Sequence, residues 1–203
     1  MERKFAIIGH RAQTTGKINL NDLPGSSGRM DVLARAVNTG LFLSHGIRAD
    51  THVMLHLLGG QGPSRRVLFE GPKLRGVHPD ERAIAGQIGK ALKEPIPAIG
   101  HFCELHSGLW HSGGDLAQTI SEWKRNNTRI FVLDAQGTPF DVKAHSAESI
   151  AFILSDDQPF TESDLEDMDG LERISLGDLW LQGHACISIL HHELDSNSHS
   201  HAG

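Results

Sequence analysis

The chain has 203 residues, with 19 Lys plus Arg against 25 Asp plus Glu and a formal net charge of -6. Hydrophobic residues at 38% together with 22 glycines give the usual share for a globular core and exclude disorder and collagen-like order. No apolar stretch reaches the ~20 residues of a membrane span, the N-terminus lacks a signal peptide's apolar region, and Cys103 and Cys186 are too few for a disulfide framework, so a cytoplasmic protein is expected.

The elements alternate along the chain. Lys4 to Ile8 reads as a strand ended by Gly9, and Asp31 to Ser44 as a helix whose Leu33, Val37 and Leu41 recur at four-residue spacing before Gly46. Thr51 to Leu58 is a second strand stopped by Gly59-Gly60, and Val67 to Phe69 a short third. Pro79-Asp80-Glu81-Arg82 opens a helix with proline at its first position and acids in its first turn, which complement the helix dipole. Residues 95 to 115, rich in Gly, Pro and His, read as a connector too short to separate two cores. Beyond it come a helix at Leu116 to Lys124, strands at Arg129 to Leu133 and Ile150 to Leu154, an acidic helix near Ser163 to Met168 with Thr161 and Asp164 as a capping arrangement, a strand at Arg173 to Leu176 and a last helix from His184 to Leu194. Residues 195–203 are polar and small and are expected to be a disordered tail. Strands joined by crossover helices imply one α/β domain over residues 1–203, with a mainly parallel sheet covered on both faces. Ligands bind such sheets beyond the strands' carboxyl ends, which directs attention to the loops after Ile8, Leu58, Leu133, Leu154 and Leu176.

Charge is uneven. Residues 1 to 100 carry 14 Lys plus Arg and 8 Asp plus Glu, a net +6, while the remainder carries -12. Such asymmetry points to a basic side facing a polyanion, and two differently solvated faces would give the same count. Within the basic half, Leu23-Pro24-Gly25-Ser26-Ser27-Gly28-Arg29-Met30-Asp31 is a glycine-rich loop feeding a helix. Free N–H groups there would attract phosphate, Arg29 could grip it and Asp31 could accept a proton, although as a pattern alone an ordinary capped loop is the favoured reading. The loop lacks the Gly-Lys-Ser/Thr of a P-loop, which argues against nucleotide hydrolysis. Lys73, Arg75 and Arg82 gather positive charge beside a helix start. The His101, Cys103, His106 and His111 group lacks a paired ligand spacing, so no metal is expected. Cys186 at a helix start is either an activated thiol or a small packing residue.

Five blocks in order carry a resemblance: Ile18 through Asp31, Phe42 through Arg48, Phe69 through Leu74, Pro79 through Arg82, and Arg173 through Leu176 with His184 through Ile187. From Phe5 to Leu194 the sequence resembles the TrmY family of tRNA pseudouridine N1-methyltransferases, within the SPOUT class. The resemblance implies a C-terminal deep trefoil knot, a homodimer, S-adenosylmethionine as cofactor and tRNA as partner, the target being a pseudouridine of the position-54 T-loop type, with neither membrane nor DNA involved. Mapped onto this chain, it implies cofactor contacts at Leu133, Leu154, Ser155, Asp156, Ile174, Leu176, Cys186 and Ile187, with Cys186 packing rather than attacking. RNA phosphates would meet Arg29, Lys73 and Arg82, and Asp31 would be the proton acceptor. Where archaeal relatives have Gly-Asp after the central knot strand, this chain has Ser155-Asp156 and then Asp157-Gln158-Pro159. That departure keeps two other readings in view: a cofactor and RNA binder without methyl transfer, or a methyltransferase for another nucleobase.

Overall fold

The computed structural model describes residues 1–144 and 147–198. Ten strands and five helices follow in the order β1 (Glu2–Gln13), α1 (Met30–Leu41), β2 (Phe42–Leu43), β3 (Gly46–Ile47), β4 (Thr51–Gly59), β5 (Arg65–Glu70), α2 (Glu81–Lys93), β6 (Cys103–His106), β7 (Leu109–Gly113), α3 (Leu116–Arg125), β8 (Arg129–Pro139), β9 (Ser149–Ser155), α4 (Glu162–Asp167), β10 (Glu172–Ser175) and α5 (Gly183–Ser198). Eight strands form one sheet in the order β10-β8-β9-β1-β4-β5-β7-β6. The five from β10 to β4 are parallel to one another, and β5, β7 and β6 extend the sheet as antiparallel neighbours.

Strand residues alternate between two cores. Phe5, Ile7, Val53, Leu55, Leu57, Phe152 and Leu154 face α1, α2 and α5, while Ala6, Ile8, Met54, Ala151 and Ile153 face α3 and the segment around α4. This period of two, with both faces apolar, is what a central parallel strand needs when helices cover each side. The larger core is fixed by stacked rings, Phe5 on Phe152 at 5.6 Å and Phe131 on Phe152 at 5.8 Å between centroids.

Several expectations need correction. The expected connector contains β6 and β7, a hairpin completing the sheet edge. Asp80, not a residue inside the helix, caps α2 by accepting from the Ala83 N–H at 2.8 Å, so Pro79 stands outside the first helical position. The tail expected from Asp195 continues α5 as far as Ser198, and residues 199–203 lie outside the described ones. Asp195 is drawn in by Arg3 at 2.6 Å and Arg48 at 2.8 Å, which tie the end of α5 to the amino end of the sheet. Thr161 and Asp164 do form a reciprocal capping box on α4.

Candidate functional site

The parallel strands all end on one side of the sheet, and the chain reverses there in loops that touch one another. The β9 loop is held to β1 by the Asp156 N–H donating to the Ile8 carbonyl at 3.0 Å. At Gly137, in the stretch of β8 where its register with β10 shifts, a Cβ would come within 2.7 Å of the Arg173 and Ile174 backbone, so the two segments press together there with no room for a side chain. A Cβ on Gly183, the first residue of α5, would stand 3.6 Å from the Ser155 carbonyl, which places the start of α5 against the β9 loop.

This convergence brings together the cofactor residues expected from sequence, with a division among them. Leu154, Ile174 and Ile187 are buried in the larger core, and Leu133, Leu176 and Cys186 pack on it while partly exposed. The first three form the floor and the second three an apolar shelf. Burial pushes the Cys186 thiol pKa up, which suits packing and not attack. Ser155 has no left-handed backbone, so a glycine is not demanded at that position; its hydroxyl donates to the Gln158 carbonyl and closes the loop. The Asp156 side chain is fully enclosed and turned away from the shelf. It accepts from the His10 N–H at 2.9 Å and lies 3.0 Å from His10 Nδ1, so any part it plays in cofactor binding runs through the backbone.

His10 continues from that carboxylate to another. Its Nε2 is 2.8 Å from Asp164 Oδ2, so one imidazole links β1, the β9 loop and α4. The Asp156 hydrogen bond raises the His10 pKa, burial opposes it and Asp164 adds to it, leaving a value of about 9. The ring is therefore an imidazolium at neutral pH, clamped between two carboxylates.

Of its two readings, the glycine-rich loop takes that of an ordinary capped loop. Every N–H from Gly25 to Met30 already has an acceptor inside the loop: Asp22 takes those of Gly25, Ser26 and Ser27, and the carbonyls of Gly25, Pro24 and Leu23 take the next three. No donor in that stretch is left over to cradle a phosphate, and side chains carry the site's charge instead. Arg29, in the left-handed conformation at φ 63°, grips Asp31 with two bonds at 3.0 and 3.2 Å and reaches Asp157 at 2.7 Å. Arg35, one turn along α1, also pairs with Asp31, and Arg11 pairs with Asp157. Arg35 Nη1 lies 3.5 Å from Gln182 Oε1 and so connects the network to the segment before α5. Burial works to raise the Asp31 pKa, but Arg29 and Arg35 outweigh it and hold the carboxyl below the ordinary range. A carboxylate so stabilised is ionised at neutral pH and is correspondingly a weak base.

Residues 2–199 match the family described as "Putative SAM-dependent RNA methyltransferase". The tRNA (pseudouridine(54)-N(1))-methyltransferase of Methanosarcina mazei is 39% identical over 195 residues, covering 95% of this chain and 90% of the relative. That of Methanospirillum hungatei is 40% identical over 193 residues, covering 94% and 95%. The chain belongs to the TrmY family. A crystal structure of Archaeoglobus fulgidus Nep1 bound to S-adenosylhomocysteine has the same fold at 13% identity, with a TM-score of 0.67 over 97% of this chain and 98% of that one.

The RNA-facing trio expected from this TrmY chain does not form a single patch. Arg29 lies at the carboxyl end of the parallel strands. Arg82 is exposed on the first turn of α2, next to Glu81, which pairs with Arg35 at 3.4 Å. Lys73 follows β5, whose Glu70 stands opposite His52 near the start of β4, so it belongs to the other end of the sheet. There it pairs with Glu70 at 2.9 Å and lies over the Trp110 ring at 5.9 Å. The antiparallel turn of β5 is the reason, since it carries the chain back across the sheet before Lys73. His10, Arg11, Arg35 and Asp157 complete the site and were not found from sequence. The loop after Ile8 was the available signal for the first two, and the four-residue spacing from Asp31 was the signal for Arg35.

Proposed function

We propose that the protein transfers a methyl group from S-adenosylmethionine to N1 of a pseudouridine in tRNA, at a T-loop position of the kind named in its relatives. The observation that carries this reading is the convergence, at one end of the sheet, of an apolar shelf and an arginine network in a chain so alike in sequence and length to those relatives. The residues fit the cofactor: Leu133, Leu176 and Cys186 present apolar surface to an adenine, and the backbone of the β8, β9 and β10 loops supplies polar edges. When bound, S-adenosylmethionine supplies an electrophilic methyl on its sulfonium.

The chain's own part is binding and orientation. Arg11, Arg29 and Arg35, with Arg82 on α2, outnumber Asp31, Asp157 and Glu81 by one charge and meet RNA phosphate. The pseudouridine N1 must lose its proton as it is methylated. Asp31 is an ionised carboxylate able to receive that proton, yet its stronger contribution is to fix Arg29 and Arg35 in direction. Alignment of the reacting atoms then supplies most of the acceleration. We further propose that the close approach of β8 and β10 at Gly137 is part of the C-terminal trefoil knot, that residues 1–198 form one methyltransferase unit, and that the enzyme acts as a cytoplasmic homodimer.

The test incubates purified protein and labelled S-adenosylmethionine with tRNA transcripts, with or without prior treatment by a pseudouridine synthase. Label is expected only in treated tRNA, as N1-methylpseudouridine by mass spectrometry. Label independent of pseudouridine would establish another nucleobase as acceptor. No label, with cofactor binding retained in calorimetry, would establish a binder without methyl transfer.

A further inference from the structure

The chain has three tryptophans, and two have evident structural work. Trp123 is buried in the smaller core, and Trp110 donates from Nε1 to Glu70 at 2.9 Å beneath Lys73. Trp180 has neither role. It is 79% exposed, beside Leu179 at 77% and Leu181 at 39%, in the segment between β10 and α5. Three successive large apolar residues held in water, the middle one an indole, indicate a surface that something else covers.

Its position says what that is. Trp180 stands two residues before Gln182, which meets Arg35, and four after Leu176 of the apolar shelf. An exposed indole on a short segment that runs from the apolar shelf at Leu176 to the guanidinium network at Gln182 gives the combination by which proteins hold unpaired nucleotides: arginines on the phosphates and an aromatic face on a base. A wholly apolar partner would gain nothing from Arg11, Arg29 and Arg35.

We propose that Trp180 is the stacking platform for an unpaired base of the RNA substrate, fixing the nucleotide that is methylated or its neighbour. The proposal rests on the RNA-methylating reading and extends it to a side chain given no part in the cofactor and phosphate contacts above. Stacking tolerates any base, so Trp180 governs whether a loop nucleotide is held, and base identity is read elsewhere.

The test measures affinity of the full chain for a fluorescein-labelled T-arm RNA hairpin and for a fully paired RNA duplex of equal length, using wild type, Trp180→Ala, Trp180→Leu and Trp180→Phe. Calorimetric affinity for S-adenosylmethionine and sedimentation mass are followed in parallel. Hairpin affinity should fall about 5- to 100-fold in the Ala and Leu variants and largely return in Phe, with duplex affinity, cofactor affinity and mass unchanged. Leu equal to wild type would overturn stacking in favour of plain apolar contact. A lower mass in Ala would assign the patch to a second copy, and weakened cofactor binding would assign it to the cofactor's adenine; each outcome overturns the proposal. Wild-type protein that binds the hairpin but transfers no methyl to pseudouridine-containing tRNA defeats the enzymatic reading alone. Wild-type protein that binds no RNA defeats both.

Discussion

His10 is gripped by carboxylates that lie 146 and 154 positions away in sequence, and its protonation state decides whether the grip is ionic. Raised from 6.5 to about 9, it contributes stability that is complete below pH 6.5 and is lost as pH rises through 9. Asp164 behaves oppositely. Burial tends to raise its pKa, but Thr161 and His10 lower it overall, so its contribution holds above the ordinary value of 3.8 and is lost as pH falls through the lowered value. The clamp is therefore strongest between those limits, at about 3 kcal/mol as an upper bound for His10. In urea unfolding, His10→Gln should be less stable than wild type by about 2 kcal/mol at pH 6, and the gap should close by pH 9.5. A gap that stays constant with pH would show that shape and not charge holds the β9 loop. Such partners are invisible in a sequence, whereas Arg29 and Asp31, two residues apart, could be paired by reading it.

Elements whose pattern is local were legible. The leucine and valine spacing of α1, the β-rich run of β4 with its glycine stop and the capping box of α4 needed no distant information. The β6 and β7 hairpin was not, because Gly, Pro and His conceal a strand that the neighbouring β5 stabilises by pairing. The end of α5 was missed for a like reason: its polar residues read as frayed until Arg3 and Arg48 are brought to Asp195. In the glycine-rich loop the positive φ was legible but the neighbour that approaches it was not. Gly28 is needed for packing and not for phosphate, since a Cβ there would lie 1.8 Å from the Arg11 carbonyl oxygen, with Gly59 pressed on the same carbonyl from its own side at 2.2 Å. Its φ of +67° would strain a residue with a side chain. Gly28→Ala should lose about 3 kcal/mol or more of unfolding free energy, because backbone must move. Gly76→Ala, at φ +71° with nothing within 4 Å, should lose only about 1 kcal/mol. Equal losses would mean that conformation alone, and not the seat of Arg11, makes Gly28 necessary.

At the scale of the whole molecule, the net charge of -6 and the +6 of the first hundred residues both misdescribe the surface an RNA meets. Arg3, Arg65 and Arg66 belong to the basic half by count, yet all three are buried. Arg66 is enclosed by Glu122, Thr119 and Ser112, and Arg65 donates to the Ala91 and Glu94 carbonyls, so neither offers charge to a phosphate. Lys73 is at the far end of the sheet. What remains beside the shelf is Arg11, Arg29 and Arg35 with Arg82 near them, partly neutralised by Asp31, by Glu81 and by Asp157, an acid contributed by the β9 loop. Local charge should therefore govern RNA affinity and its salt dependence. Arg11→Glu and Arg29→Glu should each weaken tRNA binding and flatten the plot of log affinity against log salt by about one in slope, while Lys73→Glu changes both far less. Asp157→Asn should act in reverse, strengthening binding a few-fold at low salt, with S-adenosylmethionine affinity unchanged in all four variants. If Lys73→Glu weakened binding as much as Arg29→Glu, the RNA would have to span both ends of the sheet, and the division between them drawn from the turn at β5 would fail.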